Sequence, residues 1–202
     1  MKKTILFLAI GLAIGFVSMV SATDYNPLTD WVEYPGEPNA VYPWQFGGRI
    51  ETDYGTGVFG DLIPGVHESS IAGYIDGYTV PDTFGTCGIW QIDPWQGKPG
   101  PVLNAWVTHQ ATARVTPKIG IYDLDVSFIG TGYAASGTQS TNVYVVKNGT
   151  DILWQGRIEG PTDYTVPVGT TLTNLAFMAG DYLDFISGNN GPGESRSALT
   201  AD

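Results

Sequence analysis

The stretch that most constrains this chain is Thr141-Asn-Val-Tyr-Val-Val-Lys147, Asn148-Gly149, Thr150-Asp-Ile-Leu-Trp-Gln155. Two runs of β-forming residues flank an Asn-Gly pair. Both central residues of a type I′ turn need φ > 0, which Asn and Gly tolerate best, so the spacing predicts a two-residue β-hairpin. A neighbouring run, Gly120-Ile-Tyr-Asp-Leu-Asp-Val-Ser-Phe-Ile129, alternates. Tyr122, Leu124, Val126 and Phe128 fall on one face of a strand, and Asp123, Asp125 and Ser127 on the other. In Gly180-Asp-Tyr-Leu-Asp-Phe-Ile186 the same alternation sets Leu183 and Phe185 against Asp184. These strands predict a sheet with one dry side.

Composition extends the prediction to the whole chain. With 27 Gly, 13 Pro and 12% aromatics, the sequence reads as short strands joined by many turns, and no sustained i, i+3, i+4 apolar pattern follows the first residues. An all-β fold is expected, an antiparallel β-sandwich with jelly-roll-like crossings; a closed barrel is the rival. Further strands are expected at Trp44–Ile50, 56–59, 71–75, 78–80, Cys87–Ile92, Val102–Thr108, Ala111–Val115, Tyr164–Val166, Thr171–Phe177 and Ser197–Ala201. Asp93–Pro101, with its three prolines and two glycines, is expected to be a loop, and Gly188–Gly193 an exposed one.

The first 22 residues have the layout of a signal peptide. Lys2 and Lys3 precede an apolar run from Ile5 to Val17, and Val20-Ser21-Ala22 supplies a cleavage site. The apolar run is shorter than the ~20 residues of a spanning helix, and no later run replaces it, so a mature chain without a membrane span is expected. Residues 23–43 read as an irregular N-terminal arm that tucks one or two aromatics against the domain. The sandwich domain is expected over 44–202. Removal of the leader leaves seven basic residues against all twenty acidic ones, a formal charge of −13. Such a chain is repelled by phosphate backbones and anionic lipid, which excludes nucleic acid as a natural partner. The single cysteine, Cys87, rules out an internal disulfide framework, so stability has to come from the sheet core.

Several features, in order, resemble a loosely defined group of secreted jelly-roll-like proteins of planctomycete-type environmental bacteria. They are Pro43-Trp-Gln-Phe-Gly47, the Trp-rich middle ending in the turn at Pro99-Gly-Pro-Val102, His109 with Pro117-Lys-Ile-Gly-Ile-Tyr122, the Asn-Gly hairpin, and Gly180-Asp-Tyr-Leu-Asp-Phe185. The resemblance implies a secreted β-sandwich of undetermined function and supplies no catalytic residues. Many members end in a Pro-Glu-Pro sorting tail that is absent here, which fits either a released protein or a truncated sequence.

Six tryptophans are the main functional signal. Trp106 and Trp154 belong to alternating strands and are expected in the core. Trp31, Trp44, Trp90 and Trp95 lie in or beside loops. A planar ring stacks on the apolar face of a sugar, and amides and carboxylates beside it satisfy the hydroxyls. Trp90, Gln91, Asp93, Trp95 and Gln96 are therefore the candidate ligand-binding residues, with a polysaccharide or other extracellular glycan as partner. Against this stands the plain alternative that such rings cap the open ends of a sandwich.

Other motifs carry less. Asp123 and Asp125 are ~7 Å apart along one strand face, within the range used by glycosidase carboxylates, but those converge from different elements. His67 and His109 have no metal-site spacing, and no Gly-x-Ser-x-Gly nucleophile motif is present. Asp181 with Asp184 could hold a structural Ca²⁺, as could Asp151 after Asn148 or Asn189-Asn190 with Glu194. Asn148-Gly149-Thr150 is also a glycosylation acceptor by pattern. The expectation is a secreted, non-catalytic binding or matrix domain. The alternatives are a structural surface or adhesion protein that self-associates through sheet edges, and a secreted polysaccharide hydrolase.

Overall fold

The computed structural model describes residues 25–27, 30, 43–50, 59–71, 75–80, 88–92, 99–106, 109–130, 140–159, 166–189 and 194–201. The leader, Trp31, Cys87, Asp93, Trp95 and Gln96 lie outside these residues, as do the expected strand at 56–58 and the loop residues 190–193. No described helix is long and apolar enough to cross a membrane.

The hairpin forms as its spacing predicts. Asn148 and Gly149 have φ of 52° and 75°, and they join β9 (Thr141–Lys147) to β10 (Asp151–Ile158). A Cβ on Gly149 would meet the tip of the Tyr182 side chain at 2.9 Å, so a substitution there strains φ and also asks that ring to shift.

Around this hairpin stand β1 (Trp44–Ile50), β2 (Ile63–Pro64), β3 (Val66–Ile71), β4 (Ile75–Thr79), β5 (Gly88–Ile92), β6 (Pro99–Trp106), β7 (His109–Val115), β8 (Gly120–Gly130), β11 (Val168–Phe177), β12 (Leu183–Asn189) and β13 (Glu194–Ala201). All pairings are antiparallel. The ladder is continuous but folds over between β6 and β7, which share one register pair, Trp106 and His109. One layer runs β10-β9-β12-β7-β1-β2. The other runs β3-β4-β5-β6-β13-β8-β11.

The two layers face each other across a common core. Phe46, Ala113, Val145 and Phe185 come from the first layer and Tyr78, Ile89, Leu103, Phe128 and Leu199 from the second. Phe128 stacks on Trp154 at 6.1 Å between ring centroids, and Phe46 meets Tyr78 at 5.3 Å. The molecule is an all-β antiparallel sandwich. Tyr122, Leu124, Val126 and Phe128 face inward as the alternation predicts, while Asp123 and Asp125 are exposed.

Four expectations need correction. β6 starts at Pro99, three residues before the expected strand. Its first residues pair only with β5 (Ile92 with Pro99), because β13 joins it from Val102 onward. A strand with a free side can accept prolines, which have no N–H to donate. Residues 66–70, where no strand is expected, form β3 together with Ile71. Val166 is an exposed bend rather than a strand end, and β11 begins at Val168. Finally, the first layer is dry on both sides at its centre. Tyr144, Val146 and Ile186 form a second apolar cluster on its outer face, covered by Phe59, and Asp184 beside them is fully buried. The unbroken apolar run Val143–Val146 is the mark of a strand buried on both faces.

Candidate functional site

A cleft opens between the layers at one end of the sandwich. β1 begins there with Trp44 and β7 ends there with Val115, paired to each other. β8 enters with Tyr122, and β11 leaves with Leu175 and Phe177. The cleft has a volume of ≈ 420 Å³, enough for one or two sugar-sized rings. Its wall is aromatic: Tyr25, Trp44, Tyr122, Phe177 and Phe185. Ile121, Asp123 and Asn174 line it as well.

Local bonding fixes this wall. Tyr25, from the N-terminal arm, packs on Tyr122 at 5.9 Å. The Lys118 N–H donates to the Tyr25 hydroxyl at 3.0 Å, and the Tyr122 hydroxyl donates to the Lys118 carbonyl at 3.0 Å. Burial and the neighbouring Tyr25 push the Tyr122 phenol up to about 12, which extends into the alkaline range the neutral donor form that any tyrosine has at physiological pH. Trp44 is fully buried, and its indole N–H donates to Asp30 Oδ2 at 3.1 Å. Asp30 Oδ2 also accepts from the Asn26 N–H, and the Asp30 N–H donates to the Asn26 carbonyl. The arm thus closes on itself beside the cleft.

On the other wall, β11 carries an irregularity opposite β8 between Leu172 and Leu175. Asn174 sits there at φ 58°, and its N–H donates to Asp123 Oδ1 at 2.9 Å. Asp123 is the one carboxylate among the described lining residues. Glycoside hydrolysis uses two carboxylates flanking the bond. Asp125, two residues on, is exposed and accepts from the Thr171 hydroxyl instead.

The residues predicted from sequence are distributed differently. Trp90 and Gln91 lie on β5, where Trp90 pairs with Gly77 and Val102. Asp93, Trp95 and Gln96 are outside the described residues. β5 ends and β6 begins, at Ile92 and Pro99, toward the same end of the sandwich as the cleft: Val102 pairs Ala198, and Ala201 pairs Val126. Trp44, grouped with the loop-side rings, is a core residue at the cleft floor.

Asp181 and Asp184 do not share a site. The Asp181 carboxylate accepts from the Met178 N–H, the Asn148 side-chain amide and Lys147. Those three contacts, the Met178 bond foremost, lower it to about 2. Asp184 is held by two arginines: Arg114 bonds both oxygens, at 2.7 and 3.2 Å, and Arg49 bonds Oδ2. Among the described residues no three His, Cys, Asp or Glu side chains gather where a metal could sit. Asn148 is committed too. Its amide nitrogen donates to Asp181 and its oxygen accepts from the Tyr182 N–H, so a glycan on that nitrogen would displace a structural bond.

The sequence missed the cleft because its residues are far apart along the chain. One signal was present: Tyr122 continues the inward face of β8 past Leu124, toward the end of the core, and so had to line an opening or be capped. Arg49 and Arg114 carried no such signal, since Lys147, Arg157 and Arg196 also lie within strands.

No family model matches the chain, and no curated protein does. Among solved structures, the carbohydrate-binding module TmCBM61 in complex with β-1,4-galactotriose is similar at 12% identity and a TM-score of 0.36, over 64% of this chain and 86% of that one. The mannan-recognising module TmCBM27 is similar at 9% identity and a TM-score of 0.30, over 81% and 90%. The arabinose-bound MgGH51 α-L-arabinofuranosidase is similar at 10% identity and 0.31, over 84% of this chain and 28% of that enzyme. Scores this low carry no weight for architecture or ligand, which stand on this molecule's own strand pairing and cleft.

Proposed function

We propose that this chain is a secreted, non-catalytic binding domain that takes a neutral glycan at the open end of its sandwich. The supporting observation is the cleft itself: an aromatic wall with polar groups, Asp123 and Asn174, beside it. Tyr25 and Tyr122 are half-buried, so their rings offer apolar faces to a pyranose while their edges stay wet. Export follows from the leader-like first residues, and the strongly acidic mature chain suits an extracellular setting.

Trp44 at the cleft floor is a built-in reporter. Oligosaccharides of galactan, mannan, xylan and glucan are to be titrated while tryptophan emission and heat are followed. A saturable response that falls at least tenfold in Tyr122→Ala, with Trp95→Ala unaffected, supports the cleft. Loss in Trp95→Ala alone moves the site to the β5–β6 connection. No response to any of the four removes the glycan reading.

A second reading, self-association as a surface or matrix protein, has one observation in its favour. Ile119, Ile121 and Met178 are 59%, 73% and 66% exposed where β8 and β11 meet the cleft mouth. Sedimentation showing dimers that Ile121→Lys dissolves would support it.

A further inference from the structure

We propose that the outer face of the β1–β7–β12 layer holds a second site, at Arg49, Gln110, Thr112 and Arg114, for a small hydroxylated carboxylate of the uronate type. The residues converge because of register. Ala111, Ala113 and Val115 of β7 face the core, so Gln110, Thr112 and Arg114 face outward. Arg49 pairs with Gln110 across β1 and β7, and Asp184 pairs with Arg114 across β7 and β12.

The patch is buried and incomplete. Arg49 is 2% exposed, and Gln110 and Thr112 are 0%. Arg49 Nε, both amide atoms of Gln110 and the Thr112 hydroxyl have no hydrogen-bond partner. Buried polar atoms are nearly always paired, so several together on neighbouring positions call for something to pair with them. Water could serve the neutral atoms. It cannot balance the charge: among the described residues two guanidiniums share one carboxylate, and Asp184 already accepts from both. Burial holds the Arg49 guanidinium below its ordinary pKa, with Asp184 opposing and Arg114 adding to that effect.

A single further carboxylate would neutralise the surplus with a charge-assisted bond at Arg49 Nε. An adjoining hydroxyl both donates and accepts, as Gln110 and Thr112 together require. A doubly charged anion would overshoot. Of the four residues Arg114 reaches solvent: its side chain is 16% exposed and lies over the Tyr182 ring at 3.7 Å. Elsewhere the patch is roofed: Arg49 Nη1 donates to the Gly60 carbonyl at 2.6 Å, and Phe59 packs on Tyr144.

The test uses the full mature chain with D-galacturonate, D-glucuronate and lactate, and with D-galactose as the uncharged control. Calorimetry and melting temperature are read together. At least one hydroxy acid is expected to bind, to raise the melting temperature, and to exceed galactose at least tenfold. Thr112→Val and Gln110→Leu keep shape and remove unpaired polar atoms, so both should fold with unchanged or higher melting temperature and lose the acid at least tenfold. Tyr122→Ala, on the cleft, should leave it unchanged. Binding of no acid, or of galactose equally well, overturns the proposal. So does acid binding that survives Thr112→Val and Gln110→Leu; the patch is then a hydrated structural feature.

Discussion

β12 shows two ways of burying a sheet face within a few residues. Leu183 and Phe185 point into the sandwich and belong to its apolar core, where Phe185 meets the Trp44 ring at 5.8 Å. Asp184, between them, points the other way into an equally dry place built from arginines, an amide and a hydroxyl. The apolar face is tolerant: neighbours can shift, and any apolar atom satisfies any other. The polar face is exacting, since each donor needs its own acceptor and each charge its opposite. Dry does not mean apolar in this fold, and the two sides lose stability by different routes: an orphaned charge on one, a cavity on the other.

That contrast is open to test by matched substitutions. Asp184→Ala leaves Arg49 and Arg114 without their shared carboxylate, one of them almost fully buried. Orphaning a buried charge costs about 3–5 kcal/mol. Phe128→Ala, in the apolar core against Trp154, is expected to cost about 3–5 kcal/mol from lost burial and the cavity left behind. The two should part under salt and second-site repair. Replacing Arg49 and Asp184 together with Leu should recover part of the polar loss, because the one charge left without its partner is Arg114, which is 16% exposed and reaches solvent. No single apolar change should restore Phe128→Ala as fully. Asp123→Ala, on the exposed face of β8, should alter denaturation little in urea. Equal losses for Asp123→Ala and Phe128→Ala would mean the strand faces are misassigned.

The next effect is local. Gly149→Ala places a Cβ at φ 75° and within 2.9 Å of the Tyr182 hydroxyl. The left-handed conformation alone costs about 1–2 kcal/mol for a residue with a Cβ, and the contact adds to it. Asn148→Gly keeps the turn but loses both side-chain bonds to Asp181 and Tyr182, so it should cost less. Urea midpoints of the two variants check the order; a reversal would show that the side-chain bonds, not the backbone, hold the turn.

What could be read beforehand follows the same division. Inward faces of β8 and β12 were legible because alternation is local and a sheet has only two sides. The hairpin was legible because Asn-Gly admits few conformations. Asp184 was not, since its solvent-like pattern says nothing about what lies over the outer face; only β1 and the Phe59–Gly60 segment, more than a hundred residues away, decide that. Nor was the cleft, which joins Tyr25, Trp44, Tyr122 and Phe177. The strand at Pro99 was masked by a rule true of central positions but not of a strand end paired on one side.

A smaller effect separates the cleft from the polar face by pH. The Tyr122 phenol is raised from 10.0 to about 12, chiefly by burial and then by Tyr25. A raised folded value means the folded state keeps its proton where the unfolded chain releases it. The contribution is whole below about pH 10 and lost as pH climbs through 12. Alkaline titration of the phenolate absorbance should show one late-ionising tyrosine in the wild type, absent in Tyr122→Phe and shifted earlier in Tyr25→Ala. Full tyrosine ionisation near pH 10 in the folded protein would mean that the pair does not form.

The smallest expected effect sits at the turn beside β12. Asp181 is lowered from 3.8 to about 2, first by the Met178 N–H and then by the Asn148 amide and Lys147. A lowered folded value means the folded state prefers the carboxylate. The stabilisation is present above about pH 4 and disappears as pH falls through 2. Asp181→Asn keeps the shape and removes the charge. It should be slightly less stable than the wild type at neutral pH, and the difference should vanish near pH 2. High salt should shrink the Lys147 part while leaving the Met178 bond. Asp184→Asn, at a fully buried carboxylate, should keep its deficit in high salt. If instead Asp181→Asn is as salt-insensitive as Asp184→Asn, then the turn is as closed to solvent as the outer face, and the difference between the two aspartates is one of number of bonds rather than of access to water.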